Sequence, residues 1–462
     1  AVAATGNQQR ASLSVGIAGV MKRPDDDAYE AGAVPIVRSA WVAGDVRAWP
    51  ALKSDLDVDV AVVGAGVVGA SVALHLAERG VRVALIEARQ PADGASGRNA
   101  GQVLPYLGKL VDRASWPDRG ERLLDYFVQH RNIVFDLCKR HGIDADAAPC
   151  GMVAAAYREY ASMTKNVHYW RGLGYDVDVV DRGRLRELLG TDRYSFGVHW
   201  REGGRVNPHR FTNGMVDAAA RSGALVFGDS PVESCTPVGR RWCVRTPHGG
   251  VTASNVVLCT NGHAGNAFFP ELAGTHYPLL ACGVATTPLP KPLLDVIDPG
   301  RVVMSQYPLG LFPLVLDGMN RLISATIPAP GRANDAERYF GYLLRHLNRT
   351  WPETRDHPIG LEAYWTGMTA NSASAYQAGS PRLYRVADGV FALLNFGAGG
   401  NVIGPLLGMN LAHALADDRH QDLLLPMQTP VSVASPGRFE WKIRHFMIPL
   451  ARFIDGLGGL RI

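Results

Sequence analysis

The chain has 462 residues, 47% of them hydrophobic and 19% charged, which excludes a disordered or fibrous protein and leaves room for more than one domain. A net charge of +4 is small for this length and gives no reason to expect a nucleic-acid partner. Six cysteines (Cys138, Cys150, Cys235, Cys243, Cys259, Cys282) form no C-x-x-C pair and no metal-ligand spacing, so buried free thiols and a cytoplasmic location are expected, with no metal.

Residues 1–55 read as an N-terminal extension without a periodic element. The mildly apolar run 11–21 is too short for a secretory signal, and Pro24, Asp25, Asp26 and Asp27 follow it in place of a small-residue cleavage site. Met21 is an alternative natural start. Trp41, Trp49 and Pro50 belong to what reads as an extended arm crossing the surface.

The chain then becomes informative. An apolar run at 58–63 ends in Gly64, Gly66 and Gly69, spaced G-x-G-x-x-G; a helical pattern (Val68, Ala73, Leu76, Ala77) runs to Gly80, and a second apolar run, 81–86, closes on Glu87. Strand, tight turn, helix, strand and a terminal acid form a dinucleotide-binding unit. Gly64 permits the turn, Gly66 lets backbone approach a pyrophosphate at the helix N-terminus, and Gly69 lets helix and strand pack closely. Glu87 is placed to accept hydrogen bonds from ribose hydroxyls, which disfavours a 2′-phosphate. The unit alone leaves NAD and FAD both open. Small and polar residues follow (Ser96, Gly97, Arg98, Asn99, Ala100, Gly101, Gln102), a second segment over which backbone can approach a flat ring or a phosphate.

Leu124, Phe127, Val134 and Cys138 recur at helical spacing through 121–138, a pattern that ends at Gly142. A strand is expected at 152–157, a short polar helix at 182–189, and a helix at 210–221 that Gly223 terminates. Short strands follow at 224–227, 242–246 and 255–259, the last running into Thr260, Asn261 and Gly262. Residues 282–328 read as antiparallel β with Asp317 and Gly318 at a hairpin turn, and 337–347 as an amphipathic helix with Phe340, Leu343, Leu344 and Leu347 on one face. A strand at 361–367 carries Tyr364 and Trp365. Another, at 389–396, runs into Gly397, Ala398, Gly399, Gly400, Asn401 and Val402, with a helix expected over 405–416. Two such turns fit a long cofactor gripped at both ends.

The quoted stretches resemble the D-amino acid oxidase/glycine oxidase/sarcosine oxidase superfamily of FAD enzymes, and within it the gamma-glutamylputrescine oxidase-like branch. The matching pieces are VVGAGVVGASVALHLAERG, GASGRNAGQ, GGRVNPHRF, NVVLCTNGH, YWTGMTANSASAY and VFALLNFGAGGNVIGPLLGMNLA. The resemblance implies FAD. Gly64, Gly66, Val67, Val68 and Gly69 would bind the diphosphate, and Glu87, with Ala88 and Arg89, the adenosine ribose. Ser96 to Gln102 would lie along the flavin, with Val232 near the adenine. Thr260, Asn261, Gly262 and Gly367 join the cofactor set, and Gly397 to Val402 would hold the pyrimidine end, where a helix N-terminus favours negative charge. Relatives that attach flavin covalently use a late cysteine; none follows Cys282 here, and GASGRNAGQ holds no histidine, so the FAD is expected to be non-covalent.

The resemblance also implies hydride transfer from a C–N bond next to a neutral amine to flavin N5, giving an imine that hydrolyses, with a small amine or amino acid as substrate and O2 or another electron acceptor. Such chemistry needs positioning and a dry pocket more than a strong acid or base. Trp365 and Tyr364 are the candidate substrate wall, and Tyr106 a weaker one; core packing explains the pair equally well. His263 reads as a satisfied loop histidine, Arg98 as either a carboxylate or a phosphate ligand, and the two candidate oxygen-assisting lysines, Lys109 and Lys291, match no motif. Dehydrogenase and monooxygenase activities are the alternatives, the latter weakened because no second dinucleotide unit is found.

The expected fold is α/β with two domains. A Rossmann-like FAD domain from 56–105, 205–264 and 372–418 interleaves with a mostly antiparallel substrate domain from 106–204 and 265–371, and 419–462 is a C-terminal extension with a terminal helix. In that helix Phe439, Trp441, Ile443, Phe446, Met447 and Leu450 alternate with Arg438, Lys442, Arg444 and Arg452, and Pro449 is expected to interrupt it. A packed helix is the plainer expectation. Docking to a membrane or a partner is the non-enzyme alternative.

Overall fold

A computed structural model describes residues 39–42, 44, 46–107, 117–264, 269–308, 310, 312–372, 381–397 and 399–457. Residues 1–38, Lys109, Ala398 and the whole of 373–380 therefore lie outside the described residues.

The Leu56–Val63 strand is apolar on both faces at its end, with Val60, Ala61 and Val62 at most 3% exposed, as a central parallel strand requires. It pairs in parallel with Val83–Ile86 on one side and Gly249–Leu258 on the other. Leu225–Phe227 extends the sheet beyond Val83–Ile86; Val390–Leu394, Arg382–Ala387 and Met427–Gln428 extend it beyond Gly249–Leu258. An antiparallel pair, Ser234–Val238 and Arg241–Thr246, hangs on Gly249–Leu258. The chain thus leaves its first strand to one side and returns later on the other. That reversal places a crevice at the carboxyl end of Leu56–Val63, where Gly64 sits.

Two helices pack against each other behind this crevice. Val67–Glu78 follows the first glycine turn, and Gly400–Ala416 follows the second. They meet through small residues: a Cβ on Gly404 would lie 3.1 Å from Val67, and one on Gly408 would lie 2.8 Å from Ser71. Ser71 donates its hydroxyl to the Pro405 carbonyl at 2.7 Å. The sequence places the start of the second helix at 405, but it begins five residues earlier, with Pro405 inside it. A proline there forfeits one bond, to the Asn401 carbonyl, and the flanking turns carry on.

The second sheet runs Leu361–Asn371, Tyr277–Thr286, Leu322–Thr326, Leu314–Leu316, Val303–Gln306, Met152–Ala156, Phe196–Trp200, Val177–Asp181. It is antiparallel except between Val303–Gln306 and Met152–Ala156. The expected α/β fold with a Rossmann-like sheet and a mostly antiparallel second sheet is what the chain forms. One face of the second sheet shares a core with the glycine-turn helices (Trp365, Val198, Trp200); the other forms a separate core with Tyr364, Tyr339 and Trp351. The terminal residues join both sheets, Met427–Gln428 as a strand of the first and Phe439 against Tyr277 of the second, ring centroids 4.8 Å apart.

Two local expectations change. The helical pattern over 121–138 is two helices, Pro117–Gln129 and Ile133–His141, because the seven-residue step from Phe127 to Val134 hides a break; the second helix ends as expected on Gly142 in the left-handed conformation. The arm before the first strand is anchored, not superficial: Trp41 is 1% exposed.

Candidate functional site

The first glycine turn is held from three sides. Gly64 has φ +99°, a conformation side chains resist. A Cβ on Gly69 would run into the Gly64 carbonyl oxygen, so helix and turn touch backbone to backbone. At Gly66 the space a Cβ would take lies 2.8 Å from the Ser96 hydroxyl, which accepts the Val67 N–H at 2.9 Å. Val68 is buried in the first turn of the helix. Gly66, the N-cap residue of that helix, has no side chain to cap it, and backbone approach to the helix N-terminus is limited only by the Ser96 hydroxyl.

Glu87 lies beneath this turn, accepting the Ala65 N–H at 2.7 Å and the Arg89 N–H at 3.1 Å. Burial pushes its carboxyl above the ordinary range, opposed by those two amides. Each oxygen keeps a further lone pair for a hydroxyl donor. Ala88 and Arg89 continue the edge, and the chain returns over it: Ser230 N–H donates to the Glu87 carbonyl at 2.9 Å, two residues before half-buried Val232.

The 94–102 segment crosses to the second sheet. Gly97 and Gly101 are buried, and Ala100 is half-buried between them. Gly101 (φ +75°) could carry no Cβ without striking Trp41 and the Val206 carbonyl. Trp41 donates its indole N–H to the Asn99 carbonyl at 2.8 Å, which explains its burial. Arg98 is engaged with protein carbonyls, Nε with Asp93 at 2.6 Å and Nη1 with Thr366 at 3.2 Å, while Gln102 donates to the Met304 carbonyl at 3.1 Å. Gly367, beside Thr366, has the Arg98 stem 3.3 Å from where its Cβ would be.

The second glycine turn meets this segment directly. Asn401, buried at the start of its helix, and Asn99 exchange side-chain hydrogen bonds at 2.9 and 3.0 Å. Gly397 has φ +57° and donates its N–H to Ala370; Gly399 caps the helix without a side chain, Gly400 opens it, and Val402 is buried. Thr260, Asn261 and Gly262 lie near the same strand end, with the Asn261 side chain accepting the Asn395 N–H at 2.9 Å. His263 is half-buried there, its imidazole pushed down to about 4 by burial.

The candidate substrate-wall residues separate. Trp365 faces the cofactor segment and donates its indole N–H to the Arg98 carbonyl at 2.8 Å. Tyr364 faces the opposite core, donating its hydroxyl to the Ala333 carbonyl and stacking on Tyr339 at 6.0 Å and 11°. Strand neighbours point to opposite faces, so the two cannot wall one pocket. Tyr106 lines a cavity of about 350 Å³ and stacks on Trp200 at 4.9 Å. Trp170, Tyr169, Tyr307 and Leu124 also line it, Asn166 contributes an amide, and no charged side chain does so among the described residues. Sequence reasoning missed Trp170, Trp200 and Tyr307: they come from three separate elements, and no local pattern joins them. Lys291 is exposed at the start of a four-residue helix.

A parallel sheet with a glycine turn at its topological switch point, a second glycine turn beside it and an antiparallel sheet across the crevice define a dinucleotide-dependent oxidoreductase architecture. The chain belongs to the DAO family of FAD dependent oxidoreductases, whose model matches residues 59–414. It is 27% identical over 379 residues to the gamma-glutamylputrescine oxidoreductase of Escherichia coli (strain K12), covering 79% of this chain and 85% of that one. Glycine oxidase from Geobacillus kaustophilus shares the fold with a TM-score of 0.63 at 22% identity, over 79% of this chain and 96% of its own. L-proline dehydrogenase from P. horikoshii does so with a TM-score of 0.64 at 16% identity, over 80% and 96%. Family membership implies FAD. Two helices whose N-cap residues, Gly66 and Gly399, are glycines and a carboxylate under the first turn fit that group.

Proposed function

We propose that this chain oxidises a C–N bond of a small amine or amino acid with non-covalently held FAD. The observation that carries the reading is the link from the second glycine turn to the 94–102 segment through Asn401 and Asn99, and from that segment to the first turn through Ser96 and the Val67 N–H, which gathers two helix N-termini that begin on glycine at one crevice. Gly66, Val67 and Gly69 would hold the diphosphate, Glu87 the ribose, Ser96 to Gln102 the length of the flavin, and Gly399 to Val402 its pyrimidine end. Bound FAD supplies a hydride acceptor. The helix opening at Gly400 would favour negative charge beside it, and Trp365 would brace the cofactor segment through Arg98. The aromatic-lined cavity past Tyr106 would take the apolar part of the substrate and keep water out.

An absorption spectrum of the purified protein, repeated anaerobically with amines and amino acids, tests this. Flavin bands bleached by one substrate class support the proposal, and the rate of recolouring in air separates oxidase from dehydrogenase. A protein that stays colourless with added FAD overturns it; flavin that stays with acid-precipitated protein overturns the non-covalent part.

A further inference from the structure

The large apolar side chains left exposed are concentrated at the C-terminus. Trp441 (61%), Phe446 (57%), Leu450 (41%), Phe453 (60%) and Leu457 (53%) all lie on one helical segment. It consists of Pro436–Lys442, a π turn over Ile443–Met447, and Ile448–Gly456. Pro449 does not interrupt it, because a proline in the first turn after the π turn sits where little donor capacity is lost.

The segment's inner face already satisfies the fold. Phe439, Ile443, Ile448 and Ala451 are buried in the second core. Asp455 accepts hydrogen bonds from Arg349 at 2.7 Å, Tyr157 at 2.7 Å, Arg193 at 3.0 Å and Gln306 at 3.1 Å. Inner and outer rows each take one five-residue step across the π turn, 443 to 448 inside and 441 to 446 outside. The extra residue therefore keeps both rows straight, and the outer row runs about 24 Å along the helix at its ordinary rise. Packing against the described residues does not account for that row.

Charge says what covers it. Arg438, Lys442 and His445 are exposed beside the row. Of the segment's two carboxylates, Glu440 is neutralised by Arg444 at 2.9 Å and Asp455 is buried. An apolar stripe with an indole, flanked by cations and no free acid, matches the interface of an anionic bilayer. No helix among the described residues is long and apolar enough to cross a membrane, so contact would be in the plane. We propose that the segment from Pro436 to Leu457 docks this enzyme flat on an anionic lipid surface through Trp441, Phe446, Leu450, Phe453 and Leu457.

The test is co-sedimentation of the full chain, FAD bound, with vesicles of phosphatidylcholine and phosphatidylglycerol, against phosphatidylcholine alone. Binding is expected to the anionic vesicles, to weaken with salt, and to drop about tenfold or more in the double variant Phe446→Ser/Phe453→Ser. Val431→Ser, at an exposed position outside the segment, should bind as the parent does. An unchanged flavin spectrum in the double variant shows that it is folded. Absence of binding to anionic vesicles overturns the proposal. So does a dimer in sedimentation velocity that the double variant dissociates, since the row would then be a self-association face.

Discussion

Asn99 and Asn401 form a closed amide pair in which every amide hydrogen is used. Asn99 also donates to the Ser96 carbonyl at 3.0 Å, and Asn401 to the Gln102 carbonyl at 2.9 Å. The pair fixes the second turn against the cofactor segment. Asn401→Ala leaves one Asn99 amide N–H without its acceptor and the Gln102 carbonyl short of a donor, while the Asn99 oxygen keeps the Gly101 N–H, a loss of about 1–3 kcal/mol. We expect a lower melting temperature and faster loss of FAD on dialysis. Unchanged FAD retention in a destabilised variant would mean that the pair serves only the fold.

Gly66 and Gly69 should fail differently. An alanine methyl at Gly69 meets the Gly64 backbone carbonyl, which cannot move without breaking the sheet-to-helix turn, so Gly69→Ala is expected to yield no folded protein. At Gly66 the obstacle is the Ser96 hydroxyl, 2.8 Å away, which can rotate aside at the loss of its bond to Val67. Gly66→Ala should therefore fold, with a native circular dichroism spectrum, and bind FAD about tenfold or more weakly in a titration of the apoprotein.

The same contrast explains how much of the molecule was legible in the sequence. Both turns could be read because glycine's role is local: each marks a strand end and a helix start within a few residues. The two-sheet fold followed from those turns and from the strands between. Trp41 was read as surface because its partner, the Asn99 carbonyl, lies in another part of the chain. The aromatic cavity escaped for the same reason, since Trp170, Trp200 and Tyr307 meet only through the second sheet and the helix beside it. Nor does spacing reveal the π turn, where the apolar step is five rather than four.

Tyr364 and Trp365 test the division between the two faces of that sheet. Tyr364→Phe keeps the stack on Tyr339 but removes the donor to Ala333, so about 1 kcal/mol of stability should go with turnover unchanged. Trp365→Phe removes the indole N–H that holds the Arg98 carbonyl, and should shift the flavin absorption bands and lower turnover. Urea unfolding, spectra and rates on both variants check this. A turnover loss confined to Tyr364→Phe would reverse the assignment.

Acid should weaken the joint between the two glycine-turn helices through His75. Its ring lies edge-on to His413, centroids 5.8 Å apart, with Nδ1 at 2.8 Å from the Ser71 carbonyl. Nε2 is buried with no hydrogen-bond partner, so protonation would bury an N–H without an acceptor. Burial accordingly holds the imidazole down to about 4 from its ordinary 6.5. Between those values the unfolded chain binds the proton and the folded chain does not, so stability rises with pH across that window and falls on acidification. The loss from this residue should be nil above neutrality and reach roughly 2 kcal/mol near pH ~5. His75→Gln, which cannot titrate, should cost some stability at neutral pH and show a shallower decline from pH ~7 to ~5 in urea unfolding. A slope equal to that of the parent chain would place the acid sensitivity elsewhere, first at His263 and His199, whose imidazoles burial also holds at about 4.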